Sequence, residues 1–167
     1  MNSPVLLTLL QYKTWADHEL MQCLCDHQAQ MPSALLQKCV RLMNHIHVVD
    51  RIFVAHLSGR PHPYDSTNTE ATPSPEALGW DMQETNHALM QSLRQLSDAQ
   101  ADLGLKFRFT DGDPGRMSPT EMLLHLGVHS TYPRGQVSQM LKDAGLSPPR
   151  DLLTRHRHTQ EPERREG

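Results

Sequence analysis

Residues 33–58 place Leu35, Cys39, Leu42, Ile46, Val49 and Phe53 at alternating intervals of four and three, which lines one face of an α-helix. An apolar stripe of this kind must be covered by other elements, and three further segments carry a matching one. The first opens at Ser3-Pro4, a capping serine followed by the proline that suits a first helical turn. It continues through Leu6, Leu9, Leu10, Trp15, Ala16, Leu20 and Leu24 to about His27. The third begins at Ser74-Pro75-Glu76 and carries Leu78, Met82, Leu89, Leu93 and Leu96. The fourth begins at Ser118-Pro119-Thr120-Glu121, a capping-box pattern. Its stripe is Met122, Leu126, His129, Pro133, Val137, Met140 and Ala144, and Gly145 ends it.

Between these segments the punctuation is equally plain. Gly59-Arg60-Pro61 stops the second helix, and His62 to Pro73 has the Pro, Ser, Thr and Asn content of a surface loop long enough to reverse the chain. Leu103, Leu105, Phe107 and Phe109 alternate with other residues ahead of Asp111-Gly112-Asp113-Pro114-Gly115, which predicts a short strand or hairpin before helix four. The expected fold is therefore all-α: an antiparallel four-helix bundle with a long crossover loop and a short hairpin. The bundle is assigned to residues 1–149, and 150–167 to a polar C-terminal tail expected to lie on the surface or fray.

Composition narrows the function classes. The 167 residues carry 16 Lys and Arg against 19 Asp and Glu, a net charge of −3, and lack the basic face that displaces phosphate counterions. No nucleic acid partner is expected. Cys23, Cys25 and Cys39 form no C-x-x-C pair, which points to a reducing, cytoplasmic setting. No segment is apolar enough to span a membrane and the first residues lack a cationic stretch, so neither a membrane span nor export is expected.

Histidine is the residue in surplus, at 11 copies. His45 adjoins the stripe of helix two, His129 lies on that of helix four, and His125 stands one turn earlier. A single inward histidine is more often a hydrogen-bonded core residue than a ligand. Two on facing helices raise the metal reading, because bundle metal sites are built from inward side chains. Pattern alone leaves a metal site and a polar core patch both open.

Further motifs bear on the choice: Tyr12-x-x-Trp15-Ala16, Met43-Asn44-His45-Ile46-His47-Val48-Val49-Asp50-Arg51-Ile52-Phe53, His56-Leu57-x-Gly59, and Glu121-Met122-Leu123-Leu124-His125. With Arg134-Gly135-Gln136-Val137 and Pro148-Pro149-Arg150-Asp151, they make the chain resemble the DinB family of metal-associated, YfiT-like four-helix bundles, named for DNA-damage-inducible members. The resemblance implies a ligand set of one histidine from helix two and two from helix four, spaced H-x-x-x-H. Carried over by position, these are His45, His129 and position 133, where this chain has Pro133.

Proline offers a metal nothing, so the inherited set falls to two, and a divalent ion (zinc, nickel or manganese) is expected to bind weakly or not at all. Pro133 also lacks an amide hydrogen and crowds the carbonyl of His129, so helix four should kink or break there, at ~3 kcal/mol if unrelieved. His125 is the substitute ligand to consider. Asp50 is read as an ion-pair partner of Arg134 across the bundle, as a carboxylate that orients a ligand, or as part of a solvated face. Trp15 reads as core, while Tyr12 and Tyr132 are undecided between core and a pocket above the site.

Two functions compete. The resemblance implies divalent-metal chemistry of the thiol-transferase or hydrolase type on a small molecule, with no catalytic residue yet named. Pro133 favours the alternative, a non-catalytic bundle acting in binding or stress response with a vacant site. The resemblance also implies a homodimer formed through helix faces.

Overall fold

The computed structural model describes residues 4–165, so the expected cap at Ser3 lies outside the described residues. Three long helices come first: α1 (Pro4–His27), α2 (Ser33–Leu57) and α3 (Pro75–Gln95). A single turn, α4 (Asp98–Ala101), leads to an antiparallel hairpin of β1 (Leu105–Arg108) and β2 (Pro114–Met117), in which Leu105 faces Met117 and Phe107 faces Gly115. Then come α5 (Pro119–His129), α6 (Thr131–Asp143) and α7 (Leu153–Gln160). The all-α bundle and its hairpin are as the sequence predicts.

The caps are those the sequence spells out. The Ser74 hydroxyl accepts from the Ala77 amide at 3.2 Å, and Ser118 and Glu121 form a reciprocal capping box at the start of α5. Gly59 closes α2 in the left-handed region at φ 63°, where a side chain would be strained. α3 packs on both α1 and α2, while α5 and α6 together form the fourth bundle helix against the same pair. One apolar cluster gathers Leu20, Leu24, Met43, Ile46, Leu78 and Val137. The other gathers Leu10, Val48, Phe53, Leu89, Met122 and Leu126. Gly127 lets α5 approach α1 closely, since a Cβ there would meet Leu9 Cδ2 at 2.6 Å.

The crossover loop is tied down along α2. Arg41 Nη1 donates to the Thr69 carbonyl at 3.2 Å, Asn44 Nδ2 to Thr69 Oγ1 at 2.7 Å, and Asn68 Nδ2 to the Arg41 carbonyl at 3.0 Å. Cys23, Cys25 and Cys39 are unpaired thiols. Among the described residues no helix is long and apolar enough to cross a membrane.

The structure refines one expectation and corrects another. Helix four breaks as Pro133 predicts, but at Ser130, where the bond from the Ser130 amide to the Leu126 carbonyl stretches to 3.5 Å. The break answers the problem Pro133 creates: by starting a new helix at Thr131, the chain places the proline in a first turn, where a missing amide hydrogen costs nothing. The correction concerns the tail, which forms α7. Its sequence, Leu153-Thr-Arg-His-Arg-His-Thr-Gln160, has no apolar stripe, yet it docks on α1 with His156 buried 5.3 Å from the Trp15 ring and 6.3 Å from Tyr12.

Candidate metal centre

Helices α2 and α5 bring His45 and His129 together, with their Nε2 atoms 3.0 Å apart. The protonation pattern follows from the neighbours. His45 Nδ1 lies 2.9 Å from the Thr67 carbonyl, which can only accept, so the hydrogen of neutral His45 sits on Nδ1. Its Nε2 is then a lone pair, and His129 Nε2 must donate to it. That leaves His129 Nδ1 bare, and this atom is buried with no hydrogen-bond partner. Burial, followed by the nearby His45, His125 and Lys13, pushes the His129 imidazole down to about 4.

The donor set can be tested against a metal directly. Two nitrogens on one tetrahedral ion, each about 2.0–2.1 Å from it, stand about 3.3 Å apart. The observed pair would need to open by only a few tenths of an ångström, and the Thr67 carbonyl already orients His45 as a ligand is usually oriented. The third position fails. Pro133 is buried and has no donor, and among the described residues no group of three or more His, Cys, Asp or Glu side chains is arranged to hold a metal ion. His125 lies beside the pair, 5.3 Å from the His129 ring and 5.0 Å from Phe53, with its imidazole lowered by burial. The residues fit two coordination positions.

Next to this pair the bundle interior holds a chain of charges. Lys13 is fully buried and ion-pairs with Asp17 at 2.7 Å and with Asp50, while donating to Asn86 Oδ1 at 3.1 Å. Arg134, 1% exposed, donates from Nη1 to Asp17 Oδ1 and to Ser130 Oγ, each at 2.8 Å, and from Nε to Asp151 Oδ2 at 2.8 Å. Asp151 also accepts from the Tyr12 hydroxyl. Of the readings open for Asp50, the ion pair with Arg134 is not the one formed. Lys13 takes Asp50, and Asp17 with Asp151 takes Arg134.

Burial sets the titration of this network. It raises Asp50 to about 6 despite the opposing Lys13 charge. Burial works against the Lys13 ammonium, but Asp17 and Asp50 outweigh it and hold that group above its ordinary range. Because Arg134 grips Ser130, the network reaches the break immediately after His129. Tyr12 belongs to this network rather than to a pocket, its hydroxyl raised to about 12 by burial and then by Asp151. Tyr132 is 74% exposed.

Sequence reasoning missed Lys13 and Asp17, although a signal was present. Leu6, Leu10, Lys13, Asp17, Leu20 and Leu24 keep the four-three alternation, so two charges occupy core slots. Two opposite charges at i and i+4 in an apolar stripe predict a buried pair with further partners.

A bundle of this topology, with imidazoles meeting across its second and fourth helices, defines a class of metal-associated four-helix proteins. The chain belongs to the DinB family, whose sequence model matches residues 1–166. Among solved structures it is similar to a DinB-like protein from Bacillus cereus ATCC 10987, at 19% identity and a TM-score of 0.58, covering 83% of this chain and 89% of that one. At that identity the likeness speaks for the fold alone. No curated protein matches the chain.

Proposed function

We propose that this protein is a low-affinity divalent-metal-binding bundle whose ligands are His45 and His129, with solvent or a small molecule at the remaining positions. The observation that carries the reading is the 3.0 Å contact between the two Nε2 atoms, with His45 oriented by the Thr67 carbonyl. Without an ion the pair satisfies itself by one hydrogen bond, so a metal must first break that bond. It must also move the His129 proton to Nδ1, where no acceptor waits. Both costs lower affinity, and Pro133 withholds the third ligand that would offset them.

A divalent ion, when bound, supplies Lewis acidity and lowers the pKa of a coordinated water or thiol. Two open positions suit the thiol-transferase or hydrolase type of reaction on a small molecule. The alternative, a bundle that binds without catalysis, draws its support from Pro133. Self-association belongs to either reading: Leu124, Val128 and Tyr132 repeat at i, i+4 and i+8 and are 49%, 58% and 74% exposed. Sedimentation of a monomer alone would count against a dimer.

Metal content of the untagged protein tests the central reading. The native chain should take up zinc, nickel or manganese weakly and lose it on dialysis, whereas Pro133→His should retain one equivalent. Tight stoichiometric metal in the native protein that His45→Gln/His129→Gln loses, or none retained by Pro133→His despite a native fold, would overturn it.

A further inference from the structure

The histidine surplus has a second concentration, at the far end of α2 from His45. His56 lies in the last turn of α2, and His62 follows the Gly59 stop in the crossover loop. Their rings stand 5.1 Å apart, edge to face at 78°. His56 Nε2 and His62 Nδ1 are both buried and both without a hydrogen-bond partner. One orphaned buried nitrogen is unusual, and here two stand on adjacent rings, each able to offer a lone pair.

The surroundings fix the two rings. Phe107 stacks obliquely on His56 at 4.8 Å, Phe53 meets it edge-on at 5.9 Å, and Tyr64 lies 6.2 Å from His62 in a stacked orientation. His62 is flanked by Pro61 and Pro63; the first has its φ locked by its ring, and the second drives the residue before it into extended backbone. Both donors are thus held in place before any ligand arrives.

From this placement we propose that His56 and His62 form a second metal site, taking a borderline divalent transition metal of the zinc class through His56 Nε2 and His62 Nδ1, with solvent completing the coordination. A neutral imidazole carries one hydrogen, so each ring can keep its proton on one nitrogen and offer the buried one as a lone pair. Imidazole nitrogen suits zinc, nickel and copper, whereas calcium and magnesium require oxygen donors. The aromatic wall limits solvent access and steadies the ligands. The site shares no ligand with the His45 and His129 pair.

Imidazole nitrogen NMR on the full-length, untagged protein at pH 7.5 tests the assignment, with zinc as the probe. The titration is run on the native chain and on His45→Gln/His129→Gln. In both, His56 Nε2 and His62 Nδ1 should shift together, and in the double variant they should saturate at one equivalent. His62→Gln, a loop substitution whose fold is checked by circular dichroism, should abolish the His56 shift and lower zinc stoichiometry by one. His56→Gln should do the same to His62. Resonances that stay still under saturating zinc would overturn the site. So would unchanged stoichiometry in His62→Gln. Failure of the His45 and His129 pair alone would leave all these signals in place.

Discussion

Replacing Arg134 with Met removes the charge that joins three parts of the fold while keeping an unbranched side chain in its place. Three hydrogen bonds of 2.8 Å are lost, to Asp17, Ser130 and Asp151. Breaking a buried ion pair by deleting one partner typically costs about 3–5 kcal/mol, because the other charge stays buried without compensation. Here Asp17 keeps Lys13 at 2.7 Å and Asp151 is 24% exposed, so the lower end applies, about 3 kcal/mol. In a domain of this size that corresponds to a fall in Tm of about 6–12 °C. Asp151→Asn keeps the core charges paired and should cost about 1 kcal/mol. The assay is urea denaturation with metal chelated, with m compared to confirm that the midpoint shift reports stability. A double-mutant cycle with Asp17→Asn should give a coupling of about 1–3 kcal/mol. Arg134→Met losing less than about 1 kcal/mol, or zero coupling to Asp17, would refute the assignment of Arg134 as the junction of the network.

Acid should weaken the fold through its buried imidazoles. His47 and His129 are held at about 4, below the usual 6.5, so the unfolded chain binds more protons between those values and stability rises with pH across that window. Asp50, raised from 3.8 to about 6, works in the opposite sense over nearly the same range, so these three groups together leave a net gain of roughly 3 kcal/mol between pH 4 and 6.5. Denaturation midpoints that are flat or fall across this interval would contradict it. At the contact of α5 with α1, Gly127→Val should cost about 1–3 kcal/mol by overpacking Leu9, and Leu9→Ala should recover part of the loss. Independent, additive effects measured by calorimetry would mean that the two helices do not meet there.

Much of this architecture can be read from punctuation. Ser74-Pro75, Ser118-Pro119, Gly59 and Gly145 bracket helices that form where those residues place them, and the alternation around Phe107 becomes the hairpin. Local chemistry suffices in these cases, since caps and turns act within four residues. Pro133 likewise announces a disturbance in helix four, although the position of the break, at Ser130, depends on how the chain relocates the missing amide. The partners of Asp50 and the docking of α7 were beyond local reading. Asp50 chooses between Lys13 and Arg134 by where α1 lies, and α7 is held by Trp15, Tyr12 and the preceding Asp151 rather than by a stripe of its own. The two metal-ligand positions came from a family resemblance, and geometry adds to them the contact of the two rings.

The charge network also dictates an order of events in folding. Tyr12 and Asp151 are 139 residues apart in the chain, and Arg134 and Asp17 are 117 apart. Closing such distances carries a large entropic penalty before any contact is gained, and none of these charges can leave water until its partner is in place. The apolar pairing of α2 with α3 can form early, but the ends of the chain must meet before Arg134 is buried. The network is accordingly expected as a late step, with the Arg134 contacts unformed in the transition state. Arg134→Met should speed unfolding and leave the folding rate nearly unchanged, making this internal ion chain the latch that sets how long the folded protein survives.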